Sequence, residues 1–237
     1  MVDDGEFVDP VPADAALADR VHGVIAGVAD AARAAGRDPE EVTVIAVTKF
    51  HPSSLIRQLA ALGVVDVGES RHQEAVRKHD ELGDLALRWH FVGQLQSNKA
   101  AAVREYADVI HSLDRSSLVK ALDAPGSPVD VLIQVNLTDD PARGGVREHE
   151  LAPLVERVLA TDGIRLQGLM AVAGLDAEAA RDLAAVRELR DRVVLPLAPA
   201  AVDLSMGMSG DWPAAVAEGA TRLRIGTAIT GLRPPAA

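Results

Sequence analysis

Apolar residues recur along this chain with two periods that take turns. In "ADAALADRVHGVIAGVADAARAAG", Leu17, Val21, Val24, Ile25 and Val28 fall at helical spacing and Gly36 closes the run, which predicts a leading helix. From there, short runs rich in β-branched residues alternate with amphipathic stretches of about ten to fifteen residues, the pattern of βα units around a parallel sheet. The strand runs are "VTVIAVTK", "VVDVGES", "RWHFVGQ", "DVIHSLD", "VDVLIQVNL", "IRLQGLMAVA", "VDLSMGM" and "TRLRIGTAI". Between them lie the helical segments "SSLIRQLAALG", "RHQEAVRKHDEL", "SNKAAAVREY", "RSSLVKAL", "HELAPLVERVLAT", "EAARDLAAVRELRDRV" and "WPAAVAEG". Eight βα-like units in 237 residues predict an α/β fold, a single-domain (β/α)8 TIM barrel with an extra amino-terminal helix and almost nothing after strand eight. The domain is expected to span 1–237, with 1–12 and 233–237 as flexible tails.

Such barrels build their sites at the carboxyl ends of the strands, so the residues that end each run matter most. They are polar: Lys49 on the first, Glu69 and Ser70 on the second, Gly93 and Gln94 on the third, then Asp114, Asn136, Ala173, Ser205 to Ser209, and Gly226 with Thr227. Side-chain alternation puts Lys49 on one face with Thr43, Ile45 and Val47, a face that suits the barrel interior. A lysine is rarely buried without a partner, and burial lowers its pKa, which makes this one a candidate for chemistry. Position alone leaves open a solvated loop cation. What argues against that is the last two units. Gly207, Ser209 and Gly210 precede Asp211, and Gly226 and Thr227 follow strand eight. Small residues let backbone N–H groups approach a phosphate, hydroxyls add donors, and the loops after strands seven and eight are where phosphate sites recur in these barrels. Glycines also mark ordinary turns. A lysine beside a phosphate cradle suggests a phosphorylated aldehyde held as a Schiff base, of which pyridoxal 5′-phosphate is the commonest. Arg224, two residues before Gly226, is spaced to meet its ring nitrogen, with a surface strand charge as the other reading.

Composition narrows the partners. With 48% apolar residues the chain is long enough to bury a full core, and a formal charge of −11 argues against nucleic-acid or anionic-membrane partners. There is no cysteine, which excludes disulfides and thiol chemistry. The acidic start lacks the features of a signal peptide, and "VVLPLAPAAVDL" is too short and proline-broken to span a bilayer, so a cytoplasmic protein is expected; its expected state is a monomer or weak dimer. His51, His72, His79, His111 and His149 are scattered without ligand spacing, so no metal is expected. Glu188 and Arg192 suit an i,i+4 pair on a solvated face. Met170, Met206 and Met208 suit either core filling or contact with a cofactor, and Trp89 and Trp212 are as ambiguous.

The segments "AVTKFHP", "VGESRHQEA", "WHFVGQLQSNK", "QVNLTDDPARGGV", "GLMAV", "LSMGMSGDWPAAVAEG" and "RIGTAITG" occur in order and resemble the YggS/PROSC family of pyridoxal phosphate homeostasis proteins over nearly the whole chain. The resemblance implies a fold-type III barrel, like the amino-terminal domain of bacterial alanine racemase, that holds pyridoxal 5′-phosphate as a covalent aldimine on Lys49. It implies Ser209, Gly226 and Thr227 at the phosphate and Arg224 at the pyridine nitrogen. His90, Gly93, Asn98 and Lys99 fall on the third-unit signature, and Ser70, Asn98 and Met206 join the cofactor-binding set. Three positions depart from the family: Ser70 stands where asparagine is usual, Arg143 where lysine is common, and Thr230 where an aromatic is usual. The family's implied role is to buffer the cofactor or deliver it to apo-enzymes that require it, without established catalysis. Two other readings stand beside it, an amino-acid racemase on the same barrel and a cofactor-free Schiff-base aldolase. Alanine racemases draw a second acid–base group, a tyrosine, from a separate β domain. Here the chain ends soon after strand eight, and its only tyrosine is Tyr106, in a predicted barrel helix.

Overall fold

In the computed structural model the described residues are 14–138, 140, 143–174 and 179–233. Of the tails expected at 1–12 and 233–237, all but residue 233 lies outside them. Eight parallel strands close into a barrel in chain order: β1 (Thr43–Val47), β2 (Asp66–Glu69), β3 (Arg88–Phe91), β4 (Val109–Leu113), β5 (Val129–Val135), β6 (Ile164–Ala171), β7 (Asp203–Ser205) and β8 (Arg222–Ile225). The expected (β/α)8 barrel is the fold observed. Helices α2 (Ser53–Ala61), α3 (His72–Glu81), α4 (Ala100–Arg104), α5 (Ser116–Leu122), α6 (Glu148–Leu159), α7 (Ala179–Leu189) and α8 (Trp212–Ala217) fall between successive strands.

Strand alternation divides the core in two. Val42, Ala46, Val67, Trp89, Phe91, Leu204, Leu223 and Ile225 face outward into one apolar shell with the helices. Inward residues make a smaller centre, in which Val109, Leu132 and Met170 pack together. In β5 every residue is buried, as expected of a strand covered on both faces.

The leading helix, α1 (Ala15–Ala34), buries Leu17, Val21, Val24, Val28 and Ala32, while Ile25 is 43% exposed at the edge of that stripe. It packs on α8 and on α9 (Thr227–Thr230), and Arg20 Nε donates to Ile229 O at 2.8 Å. The presence of α9 corrects the last strand run. The ladder stops at Ile225, and the N–H groups of Ile229 and Thr230 turn back to Gly226 O at 2.8 and 2.9 Å, so "TAI" is a helical turn. Arg192 pairs with Glu148 at 2.7 Å rather than with Glu188, because α7 relaxes into a π turn at Arg190–Val194 that alters the i,i+4 spacing. No helix among the described residues is long and apolar enough to cross a membrane.

Candidate functional site

The carboxyl end of β1 is held down on both sides of Lys49. Thr48 is fully buried and extends the ladder through its N–H to Gly68 O at 3.0 Å. Its hydroxyl donates to Glu69 Oε1 at 2.7 Å. Lys78, on α3 and itself fully buried, donates to Thr48 O at 2.8 Å, Glu69 Oε1 at 2.6 Å and Glu74 Oε1 at 2.8 Å. Those three bonds use all the donors an ammonium has. Glu74 Oε1 also accepts from Phe50 N at 2.6 Å, which secures Phe50 at φ 70°, a left-handed conformation that costs a bulky residue. Burial pushes the Glu69 carboxyl up from its ordinary value, against the opposing pull of Lys78.

Between these anchors Lys49 is exposed, and its Nζ makes no hydrogen bond or ion pair among the described residues; the Phe50 ring lies 5.9 Å away. Two further cations, Arg71 and Arg233, lie over the same ring at 4.6 and 3.9 Å.

The loops after β7 and β8 meet beside β1. Ser209 Oγ accepts from Ala228 N at 3.3 Å, and Thr227 Oγ1 lies 3.5 Å from it. A Cβ on Gly226 would sit 3.9 Å from Val47 O, which brings this loop against the strand that carries Lys49. Gly207, at φ 91°, permits the tight path, since a side chain there would meet Ala215 at 2.6 Å and Leu223 at 2.8 Å. One register step below, Arg224 pairs with Ile45 and points into the barrel. Its Nη1 donates to Ser205 Oγ and its Nη2 to Ala171 O, both at 2.8 Å. Burial pulls its guanidinium down to about 10, with Asp211 opposing, so it stays charged at neutral pH.

The structure therefore gathers Ser209, Gly226 and Thr227 into one patch next to the β1 end, with Arg224 beneath. Ser70 is half-buried after β2, and its carbonyl sits so close to Gly93 that a Cβ there would come within 2.1 Å. Ser70 also borders a cleft of about 700 Å³ whose walls include Arg71, Glu74, Phe91 and Lys99. Asn98 and Lys99 are exposed in a 3₁₀ turn, and among the described residues no hydrogen bond brings Asn98 to the Lys49 group. Met206 is fully buried in the outer shell, so its side chain faces away from the interior. His90 points into the barrel rather than to the mouth and bonds Asp66 and His111. Thr230 is buried, and its hydroxyl reaches back to Gly226 O at 3.2 Å. Arg143 is exposed in the loop after β5. Among the described residues no three metal-ligating side chains cluster.

Sequence reasoning missed the Lys78 clamp, although Glu74 and Lys78 carry an i,i+4 signal, and it missed the interior contacts of His111.

The fold and mouth together define a (β/α)8 barrel with its polar site at the carboxyl ends of the strands. Residues 28–234 match the family described as alanine racemase, N-terminal domain. A pyridoxal phosphate homeostasis protein of Pseudomonas aeruginosa is 41% identical over 221 residues, covering 92% of this chain and 96% of that protein. The chain belongs to this family of pyridoxal phosphate homeostasis proteins, on the barrel of the alanine racemase N-terminal domain. The solved structure of PipY from Synechococcus elongatus, with pyridoxal phosphate bound, superposes with a TM-score of 0.79 at 36% identity, covering 91% of this chain and 100% of that one. An alanine racemase from Corynebacterium glutamicum shares the fold at 18% identity and a TM-score of 0.68, across 92% of this chain and 62% of the racemase.

Proposed function

We propose that this protein binds pyridoxal 5′-phosphate at the barrel mouth through a covalent link to Lys49 and serves the homeostasis of that cofactor. When bound, the cofactor supplies an aldehyde that a primary amine captures reversibly and an aromatic ring that draws electrons. The observation that carries the reading is Lys49 itself, an exposed amine without a polar partner among the described residues, on a strand end clamped from both sides. Ser209, Gly226 and Thr227 bind the phosphate from the two adjoining loops, Arg224 meets the ring nitrogen from inside the barrel, and Ser70 borders the mouth. Asn98 and Met206 contribute less, one standing exposed and the other facing the outer shell. The protein acts in the cytoplasm, where it buffers the cofactor or passes it to apo-enzymes. Borohydride reduction of the cofactor-loaded protein followed by peptide mapping tests the link. The label belongs on Lys49, and Lys49→Ala abolishes it; label on another lysine overturns the assignment.

Turnover of amino acids is not part of this reading. Racemisation needs an acid–base group on each face of the α-carbon. The chain's only tyrosine, Tyr106, lies in the turn before β4 and is buried in the outer shell against His72 and His79 of α3, outside the barrel interior. Its ring stacks on His72 at 5.9 Å, and burial pushes its hydroxyl far above the ordinary value. Exchange of the alanine α-proton in D₂O should therefore be far slower than about 1 s⁻¹, and faster exchange would favour the racemase.

A further inference from the structure

The interiors of these barrels are filled mainly by bulky branched residues. Here a file of polar groups crosses the interior instead. Asp66 Oδ1 lies 2.9 Å from His90 Nε2, His90 Nδ1 lies 2.9 Å from His111 Nε2, and His111 Nδ1 lies 2.8 Å from Ser205 Oγ. Arg224 Nη1 completes it, donating to the same Ser205 oxygen at 2.8 Å. His90, His111, Ser205 and Arg224 are all buried, and Asp66, at the amino end of β2, retains 19% side-chain exposure. Polar groups in such a place cost stability unless every one is bonded, and in this file every one is.

Chemistry at the two ends sets the direction of the bonds between them. Arg224 only donates and the Asp66 carboxylate only accepts. Burial outweighs Asp66 in lowering His90, and it lowers His111 well below the ordinary value, so both rings are neutral at pH 7. A neutral imidazole has one donor and one acceptor. His90 therefore gives its Nε2–H to Asp66 and accepts at Nδ1. That forces His111 to give its own Nε2–H to His90 and to accept at Nδ1, which in turn draws the Ser205 hydroxyl proton toward His111. The serine's lone pairs are left facing Arg224. One proton arrangement satisfies all four contacts, and every bond points from Arg224 toward Asp66.

We propose that His90, His111 and Ser205 are positioning residues for Arg224, a one-directional hydrogen-bond file that holds the guanidinium in place for the ring nitrogen of the cofactor. The role rests on the reading of the site as a pyridoxal 5′-phosphate site. The second guanidinium bond, to Ala171 O at 2.8 Å, ties Arg224 to β6, so the file and this carbonyl together oppose rotation of the fork. Polarisation along the file strengthens the serine as an acceptor, because its hydroxyl proton is engaged and the far end carries a negative charge.

Two measurements test this. In the ligand-free protein, ¹⁵N NMR of the imidazoles reads the tautomers without any cofactor, and both His90 and His111 are expected as Nε2–H forms; an Nδ1–H form on either ring overturns the file. With the cofactor, His111→Leu removes the acceptor of the serine hydroxyl, while His111→Asn keeps an amide oxygen near the place of Nδ1. The leucine variant should raise the dissociation constant for pyridoxal 5′-phosphate about tenfold and shift the absorbance maximum of the bound cofactor, and the asparagine variant should recover most of both. Ser205→Ala, which breaks the link next to Arg224, should match the leucine variant should that one fail to fold. Unchanged affinity and spectrum in these variants, or no recovery by asparagine, overturns the proposal. Absence of a borohydride-trapped adduct in the unaltered protein overturns the cofactor reading and the role toward it, while the tautomers still report on the file itself.

Discussion

Lys78 illustrates how much one residue can hold in this molecule. A buried ammonium bonded to two carboxylates and a carbonyl is not a large source of net stability, because desolvation offsets most of the attraction. Its removal is another matter. Lys78→Met leaves Glu69 buried without its cation and frees the main chain on both sides of Lys49, so unfolding should become easier by about 3 to 5 kcal/mol. Adding Glu69→Leu should return much of that loss by removing the stranded charge. Urea unfolding of the single and double variants decides it, and equal stability of the two would show that the pairing does not govern the site. The positions of Lys49 and Arg224 were legible because one follows a β-rich run and the other falls near the end of one, on its inward face. The Lys78 clamp was not, since Thr48 and Glu69 are 21 positions apart and meet only when β1 and β2 pair.

At the level of elements, all eight strands and the helices between them could be read from periodicity, because each strand buries its outward face against the helix that follows. The failures come where a local rule yields to a contact elsewhere. Gly226 ends the ladder one residue after Ile225, and the expected strand becomes α9, which then receives α1. The fit of α1 onto α8 is close at one point: a Cβ on Gly27 would lie 2.8 Å from the Trp212 ring, whereas nothing lies within 4 Å of one on Gly23. The two glycines of the same helix should thus respond oppositely. Gly23→Ala should stabilise by about 0.5 to 1 kcal/mol through helix propensity, and Gly27→Val should destabilise by about 1 to 3 kcal/mol by forcing the indole away. Thermal unfolding reads the signs, and tryptophan emission reads displacement of Trp212. A stabilising Gly27→Val would mean that α1 can slide on α8 without loss.

The whole molecule is a closed barrel whose centre is partly polar, and this sets how it responds to acid. At the amino end of the barrel Arg222 pairs with Asp203, and Arg165 with Asp130 at 2.6 Å; above them the file from Asp66 to Arg224 occupies the interior. None of that was visible in the sequence beyond the inward parity of the residues, because His111 and Ser205 are separated by 94 positions and are joined only by closure of the barrel. Two of these groups, His90 and His111, add to the pH response, alongside His51 and His72, which burial also lowers, and against Glu69, which burial raises. His90 and His111 have folded-state values lowered by burial from the ordinary 6.5. As pH falls through 6.5 the unfolded chain takes up protons on these rings and the folded chain does not, so the unfolded state binds more protons and stability decreases with acidification. Above 6.5 both states hold the rings neutral and these two histidines contribute no slope. Below it, each contributes a slope that approaches about 1.4 kcal/mol per pH unit until the folded rings themselves protonate. Urea unfolding between pH 7.5 and 5 should show this loss, and His111→Asn should reduce the slope over the same window by removing one of the two rings. A slope in His111→Asn equal to that of the unaltered protein would mean that the folded protein takes up a proton on this ring as readily as the unfolded chain, and the neutral file would fall with it.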